Sequence, residues 1–187
     1  MAFGFETAWF AVHGSDTESV RAALGVRTAV PSGWSSALPA VESEGIFVSP
    51  PIDGWVFAVG CDAFMRGDCA RIEEALLRLG EACGPAFWFA THARRDVHGW
   101  ACSNGRQLVR AYLYEGSKPC VLWDEGMRTP AEIELDFFVE DPRDLSDDDI
   151  KWWPTPADVV ALAGRWTVDP CHLAGRGEPG RGLLGRL

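Results

Sequence analysis

The 187-residue sequence has no long apolar run. None of its hydrophobic stretches approaches the roughly 20 residues that a membrane-spanning helix needs. Residues 1–6 also lack the basic and apolar regions of a secretory signal peptide. We therefore expect a protein that stays in the compartment where it is made, and the sequence predicts a cytoplasmic location without membrane contact.

The motifs of the common enzyme classes are also missing. The chain contains no GxSxG, GxxxxGK[ST], GxGxxG or HExxH pattern, which removes most support for hydrolases, nucleotide-binding enzymes and zinc proteases. Its six cysteines form no CxxC pair, so neither a zinc ribbon nor a thioredoxin motif is indicated. We expect reduced, mostly packed cysteines and predict no cofactor and no metal.

Basic residues are few relative to acidic ones. Lys and Arg number 17 against 27 Asp and Glu, which gives a net charge of −10. Nucleic-acid binding depends on a basic face that contacts phosphates, so the charge argues against a nucleic-acid partner. An acidic protein suits a basic protein partner, although net charge also keeps proteins apart in solution, and both interpretations stay open.

Apolar and aromatic residues are abundant. They make up 47% of the chain and include nine tryptophans and ten phenylalanines, whose large rings bury much area in a core. A chain of this length is sufficient for one domain with a sizeable core.

Short β-rich runs predict a sheet. Residues 45–49 and 55–60 flank a proline and Asp-Gly turn, which indicates a hairpin, and residues 7–12 form a third run. From residue 86 to 123 the pattern predicts antiparallel strands over 87–100, 107–115 and 120–123, with Asn104-Gly105 as the clearest turn.

Four helices are predicted from periodicity and capping signals. Ser15 and Glu18 have capping-box spacing ahead of a helix that ends near Gly25, and residues 70–83 place their apolar side chains on one helical face. Two further helices begin at Thr129-Pro130 and Thr155-Pro156, each with an acid at the third helical position. Residues 27–44, which are rich in Pro, Ser and Gly, predict an irregular surface excursion.

These elements predict one α+β domain over residues 1–173, with a largely antiparallel sheet and helices packed on one of its faces. The Gly- and Arg-rich residues 174–187 predict a flexible tail.

The strand predicted over 87–100 carries a cluster of polar residues. Side chains alternate between the faces of a strand, so five of them are expected to share one face: His92, Arg94, Asp96, His98 and Trp100. An aspartate between two histidines could fix a histidine tautomer or contribute to a metal site. A partner-binding surface and an ordinary solvated strand face are the alternatives.

A second candidate surface is the acidic stretch from Glu132 to Asp149, which the two tryptophans Trp152 and Trp153 follow. Its densest part is the triplet Asp147, Asp148 and Asp149. Acidic side chains beside aromatic anchors are typical of protein interfaces, whereas a solvated helix face would also account for the charge.

Several segments of the chain resemble a family of small bacterial proteins of the immunity type, which protect a cell from a secreted toxin. The resemblance covers residues 7–170 and is carried by GIFVSPPIDGW at 45–55, DVHGW at 96–100, LVRAY at 108–112, LWDEG at 122–126 and GRWTVDP at 164–170. It implies an intracellular α+β protein that acts by tight binding. It implies no catalytic residues.

We therefore predict a binding protein, most concretely an immunity protein that neutralises a basic toxin domain by direct contact. The predicted contact residues are Asp147, Asp148, Asp149, Trp152 and Trp153, together with the polar residues from His92 to Trp100. One alternative is a small metal-dependent or acid–base enzyme that uses His92, Asp96 and His98. Another is a scaffold protein of a phage or secretion gene cluster.

Overall fold

A nine-stranded antiparallel sheet is the centre of the fold. The structure is a computed structural model that describes residues 3, 5–41, 45–60, 64, 68–117, 120–135, 154–173, 177 and 179–187. The strands of the sheet are β1 (Thr7–His13), β2 (Arg27–Ser32), β3 (Ile46–Val48), β4 (Trp55–Val59), β5 (Ala86–His92), β6 (Val97–Asn104), β7 (Gln107–Glu115), β8 (Cys120–Glu125) and β9 (Gly182–Arg186). Their order across the sheet is β2-β9-β3-β4-β1-β5-β6-β7-β8.

Five α-helices accompany the sheet within the described residues. They are α1 (Thr17–Leu24), α2 (Trp34–Val41), α3 (Cys69–Cys83), α4 (Pro130–Glu134) and α5 (Pro156–Trp166). A short 3₁₀ turn, Pro170–Leu173, follows α5. The predicted α+β class and antiparallel sheet are confirmed.

The sheet is buried on both faces. In β1, Ala8, Phe10 and Val12 join a core with α1 and α3, whereas Trp9 and Ala11 join a second core with α2 and α5 on the other side. We call these the α3 face and the α5 face. The helices were predicted to cover one face only. They cover both, which is why β1 reads as an unbroken apolar run rather than an alternating one.

Helix α3 shows how the sequence specifies the local structure. Ile72, Ala75, Leu76 and Leu79 are spaced to form one stripe, and all four are buried. At its start, the side chain of Asp68 accepts a hydrogen bond from the main-chain N–H of Arg71.

The two Thr-Pro helix starts are confirmed. Thr129 and Thr155 are N-caps, and Glu132 and Asp158 close a capping box in each helix by accepting the N-cap main-chain N–H. The N-cap of α1 was predicted one residue too early. Asp16, not Ser15, caps this helix, because its carboxylate accepts from the main-chain N–H groups of both Glu18 and Ser19.

Residues 27–44 were predicted to be irregular, yet they contain β2 and α2. Pro31 lies in the terminal strand of the sheet, where a missing N–H is tolerated. Trp34 and Ala37 anchor α2 on the α5 face. Tertiary packing thus overrides a composition that is typical of loops.

The predicted flexible tail is wrong for residues 182–186. They form β9, which pairs with β2 on one side and with β3 on the other. Gly182 lies opposite Ser32 of β2, and a Cβ placed on it would clash with the carbonyl oxygen of Val48 in β3 and lie 2.7 Å from the ring of Phe47. The glycines that suggest flexibility in the sequence here permit close approach of the backbone.

In the part of the chain that the structure describes, no helix combines the length and the apolar character that a membrane crossing requires.

Gly182→Ala tests the position of β9. The added methyl group has no room, so we expect the free energy of unfolding to fall by about 1–3 kcal/mol, as for other overpacked sites. Chemical denaturation would measure it. Gly177→Ala is the matched control, since nothing lies within 4 Å of a Cβ there. Equal stability of the two variants would contradict the placement of β9.

Candidate functional site

The predicted strand over 87–100 is in fact a hairpin. Strand β5 ends at His92, a turn occupies residues 93–96, and β6 begins at Val97. Asp96 makes the turn possible with a left-handed φ of 50°, a conformation that aspartate tolerates better than most residues. No glycine or proline marks this turn in the sequence, so the pattern could not reveal it.

The hairpin separates the residues that were predicted to share one strand face: His92, Arg94, Asp96, His98 and Trp100. His92 lies opposite Val97, whose side chain packs on the α3 face, whereas His98 lies opposite Thr91. His98 and Trp100 belong to the α5 face, because they alternate with Val97. The prediction of a shared face is therefore wrong, because the side chains of His92 and His98 point to opposite sides of the sheet.

Arg94 lies in the exposed turn. Its Nε is 3.6 Å from a carboxylate oxygen of Glu6, and its side chain is 83% exposed. A pair this exposed contributes little to stability.

Thr91, His98 and Asp96 form a hydrogen-bonded relay. His98 Nδ1 is 2.9 Å from Thr91 Oγ1, and His98 Nε2 is 3.0 Å from Asp96 Oδ1. A carboxylate only accepts, so neutral His98 donates from Nε2 to Asp96 and accepts the Thr91 hydroxyl at Nδ1. In this geometry Asp96 fixes the tautomer of His98.

The relay has the order of a hydroxyl nucleophile, an imidazole base and an orienting carboxylate. Thr91, however, is 0% exposed and His98 is 2% exposed. A nucleophile must reach its substrate, and this hydroxyl is enclosed by the core. In this structure Thr91 and His98 are enclosed by the fold, and the 56% exposed side chain of Asp96 pairs with the imidazole from the turn. The three side chains satisfy one another's polar groups, which is a structural role.

Burial lowers the pKa of His98, and the hydrogen bond and the charge of Asp96 oppose this effect only in part. The charge of Asp158 acts in the same direction as Asp96, and that of His92 acts with burial. His98 is thus held neutral in the folded protein to a lower pH than in the unfolded chain.

Asp96 also connects two hairpin ends. Its main-chain carbonyl accepts the N–H of Gly116 at 2.7 Å, and a Cβ on Gly116 would clash with the Asp96 carboxylate. The turn between β5 and β6 therefore packs directly on the turn that follows β7.

A second polar network lies at the other end of β7, around Arg110. This side chain is 1% exposed, yet it pairs with Glu132 at 2.9 Å and with the Asp124 carboxylate. It also donates to the main-chain oxygens of Ala111 at 2.8 Å and Glu125 at 3.0 Å. Burial lowers the pKa of Arg110, but the two carboxylates outweigh burial and the pKa is raised.

Glu132 is fully buried, and both of its carboxylate oxygens are used. Oε1 accepts from the indole N–H of Trp100 at 2.8 Å and from Arg110 Nε. Oε2 accepts the main-chain N–H of Thr129 at 2.7 Å. One carboxylate therefore caps α4, neutralises Arg110 and orients the ring of Trp100, which stacks on Tyr112 at 4.8 Å.

The sequence predicted the capping role of Glu132 but missed its pairing with Arg110. The two residues are 22 positions apart, so no local pattern in the sequence links them. The signal that was available is the position of Arg110 between apolar residues of a strand, where a charged side chain requires a buried partner.

Among the residues that the structure describes, the cysteines and the metal-ligating side chains form no further site. The five cysteines that the structure describes form no disulfide: Cys69, Cys83, Cys102, Cys120 and Cys171. Burial raises the pKa of Cys102 to about 11, and the charge of Glu132 adds to this effect, so this thiol stays protonated at neutral pH. Among the described residues, no three His, Cys, Asp or Glu side chains lie close enough to hold a metal ion.

The other predicted contact residues lie outside the described part of the chain. They are Asp147, Asp148, Asp149, Trp152 and Trp153. Their role in binding stays a prediction, as does that of the polar residues from His92 to Trp100.

No family model, curated protein or solved structure matches the chain. The resemblance to immunity proteins likewise stays a prediction.

Glu132→Gln tests the buried network by removing one charge with little change in shape. We expect the free energy of unfolding to fall by about 3 kcal/mol, near the lower end for a broken buried pair, because Asp124 still faces Arg110. Urea denaturation measures the change. Glu134→Gln on the same helix is the control, since the Glu134–Arg165 pair is exposed and is worth about 0–1 kcal/mol. Similar losses in both variants would refute a special role for Glu132.

His98 gives a prediction for pH dependence. Because its pKa is lower in the folded than in the unfolded state, the unfolded chain binds the proton first as the pH falls below about 6.5. Stability should therefore decrease from that pH downward, until the folded pKa is passed. His98→Gln should lack this component, whereas His172→Gln, at an exposed ring, should keep it. Parallel stability curves for wild type and His98→Gln would count against the buried neutral imidazole.

Proposed function

We propose that this protein acts by stoichiometric binding, as an immunity-type protein of the cytoplasm that covers and neutralises a basic toxin domain. The observation that carries the proposal is that the described side chains best suited to catalysis are bound to one another. Thr91, His98 and Asp96 satisfy one another, and Arg110 is paired with Glu132 and Asp124. These groups stabilise the interior, so function is left to the surface.

The charge of the chain supports a basic partner. Residues 136–153 carry seven Asp and Glu against two Lys and Arg, a large share of the net charge of −10. Opposite charge speeds association and selects against wrong partners. A protein that must bind a toxin as soon as the toxin appears benefits from both effects.

The position of this acidic segment in the chain also supports the proposal. The segment connects α4 to α5, and these two helices contact each other. The described chain on either side of the segment is anchored on the α5 face, by Leu135 after α4 and by the capped start of α5.

The proposal is tested by capture and by charge variants. The tagged protein is used to capture partners from its native bacterium, and the main captured protein is identified by mass spectrometry, purified and titrated by calorimetry at two salt concentrations. We expect a nanomolar complex with a basic toxin domain, weakened by salt. Replacing Asp147, Asp148 and Asp149 with asparagine should weaken it about tenfold or more.

The matched control removes three charges elsewhere. Glu18, Glu74 and Glu81 are exposed acids on α1 and α3, and their replacement by glutamine changes the net charge by the same amount. A complex that weakens equally in both triple variants would show a general charge effect and remove the predicted interface. Capture of a scaffold component, or of a small molecule in place of a toxin, would overturn the immunity function.

A further inference from the structure

Three aromatic side chains on the α5 face surround a fourth, Phe3, which comes from the start of the chain. The ring of Phe3 stacks on Trp34, the first residue of α2, with ring centroids 5.6 Å apart and an interplanar angle of 21°. Trp9 of β1 and Phe57 of β4 contact the same ring in edge geometry, at 5.5 Å and 5.7 Å. We call Trp9, Trp34 and Phe57 the aromatic box, and Phe3 occupies it.

Phe3 is held in the aromatic box by its ring. The residue is 8% exposed, yet it belongs to no helix or strand. Within the part of the chain that the structure describes, its main chain makes no hydrogen bond. A segment with few main-chain hydrogen bonds opens locally at a lower free energy than a strand of the sheet. Displacement of Phe3 therefore breaks ring contacts and leaves the hydrogen bonds of the sheet intact.

Two hydrogen-bond donors of the aromatic box are unsatisfied. Trp9 and Trp34 are both 0% exposed, and neither indole N–H has a hydrogen-bond partner. A buried indole N–H usually finds an acceptor, because a buried donor without one costs free energy. Phe3 contacts both indoles, but its side chain has no nitrogen or oxygen to offer them. The present occupant thus matches the shape of the site and not its polar groups.

We propose that the aromatic box binds a small, uncharged, planar heteroaromatic molecule, which displaces the ring of Phe3 and accepts a hydrogen bond from Trp9 or Trp34. A planar ring keeps the stacking on Trp34, and a ring nitrogen or carbonyl oxygen adds the acceptor that phenylalanine lacks. The box itself is uncharged, so an ion would lose its hydration without gaining a partner. Apolar walls with a few polar groups are typical of small-molecule sites. This inference goes beyond the proposed function and does not depend on it.

Quinoline and naphthalene test the site, because they have nearly the same shape and only quinoline carries an acceptor. The indole N–H resonances of the ¹⁵N-labelled full chain report on each tryptophan. We expect quinoline to shift the signal of Trp9 or Trp34 and to leave that of Trp88 in place. Trp88 is the internal control, since its N–H also lacks a partner but lies on the α3 face. Naphthalene should bind about tenfold more weakly, as expected for the loss of one hydrogen bond.

Variants at position 3 test whether Phe3 competes with the ligand. In Phe3→Ala the site no longer has to be vacated, so quinoline should bind at least about tenfold more tightly than to the wild type. Phe5→Ala is the matched control, because it removes a 56% exposed ring two residues away and should leave the affinity unchanged. Phe3→Leu retains apolar volume in the box and should have an intermediate affinity. It serves as the test if Phe3→Ala does not fold, which circular dichroism would show.

Three results would overturn the proposal. The first is an absence of shifts at Trp9 and Trp34 in the wild type at the solubility limit of quinoline. The second is equal affinity for naphthalene and quinoline, which would mean that the unsatisfied donors play no part. The third is equal affinity of the wild type and the variants at position 3, which would mean that Phe3 is not displaced. No toxin domain is used in these experiments, so their failure leaves the proposed function standing.

Discussion

A sheet that is covered on both faces gives the polar side chains of its central strands no access to water, and this constraint governs the rest of the structure. An unpaired charge or hydroxyl there would be costly. Thr91, His98 and Arg110 all point into the α5 face, and each has a partner placed for it. The carboxylate of Glu132 illustrates the result, because one of its oxygens accepts from Arg110 in β7 and the other accepts the N-cap N–H of α4.

The sequence could predict the elements that depend on local chemistry. A hairpin turn joins β6 to β7 as predicted, although its two turn residues are Gly105, with φ 58°, and Arg106, while Asn104 ends β6 opposite Gln107. The Thr-Pro starts of α4 and α5 are capped as expected. The predictions were wrong where contacts between residues far apart in the sequence determine the local structure. Nothing near Gly182 in the sequence indicates that β2 and β3 lie on either side of it. Near Asp96 the sequence has no turn signal, so His92 was predicted to lie on the wrong face of the sheet. A missed turn changes which side chains share a face, so one local error removed a whole candidate site.

Because the sheet is covered on both faces, polar groups in the interior and on the surface have different roles. An arrangement such as Thr91–His98–Asp96 suggests catalysis when only residue types and distances are considered. Because Thr91 and His98 are buried, the arrangement instead satisfies the hydrogen bonds of a histidine that water cannot reach. The binding function stays a proposal that concerns the surface of the protein and not these buried groups.

The position of β9 has a consequence for how the chain is made. A ribosome synthesises β2 and β3 early, but the strand that joins them in the sheet emerges only after residue 180. Until then β2 has no neighbour, and one side of β3 exposes unpaired main-chain groups. The sheet therefore stays open until β9 has been synthesised, and the nascent chain holds an unpaired edge that a chaperone can shield. Contact between β9 and the strands β2 and β3, which are far from it in the sequence, is the step that completes the sheet.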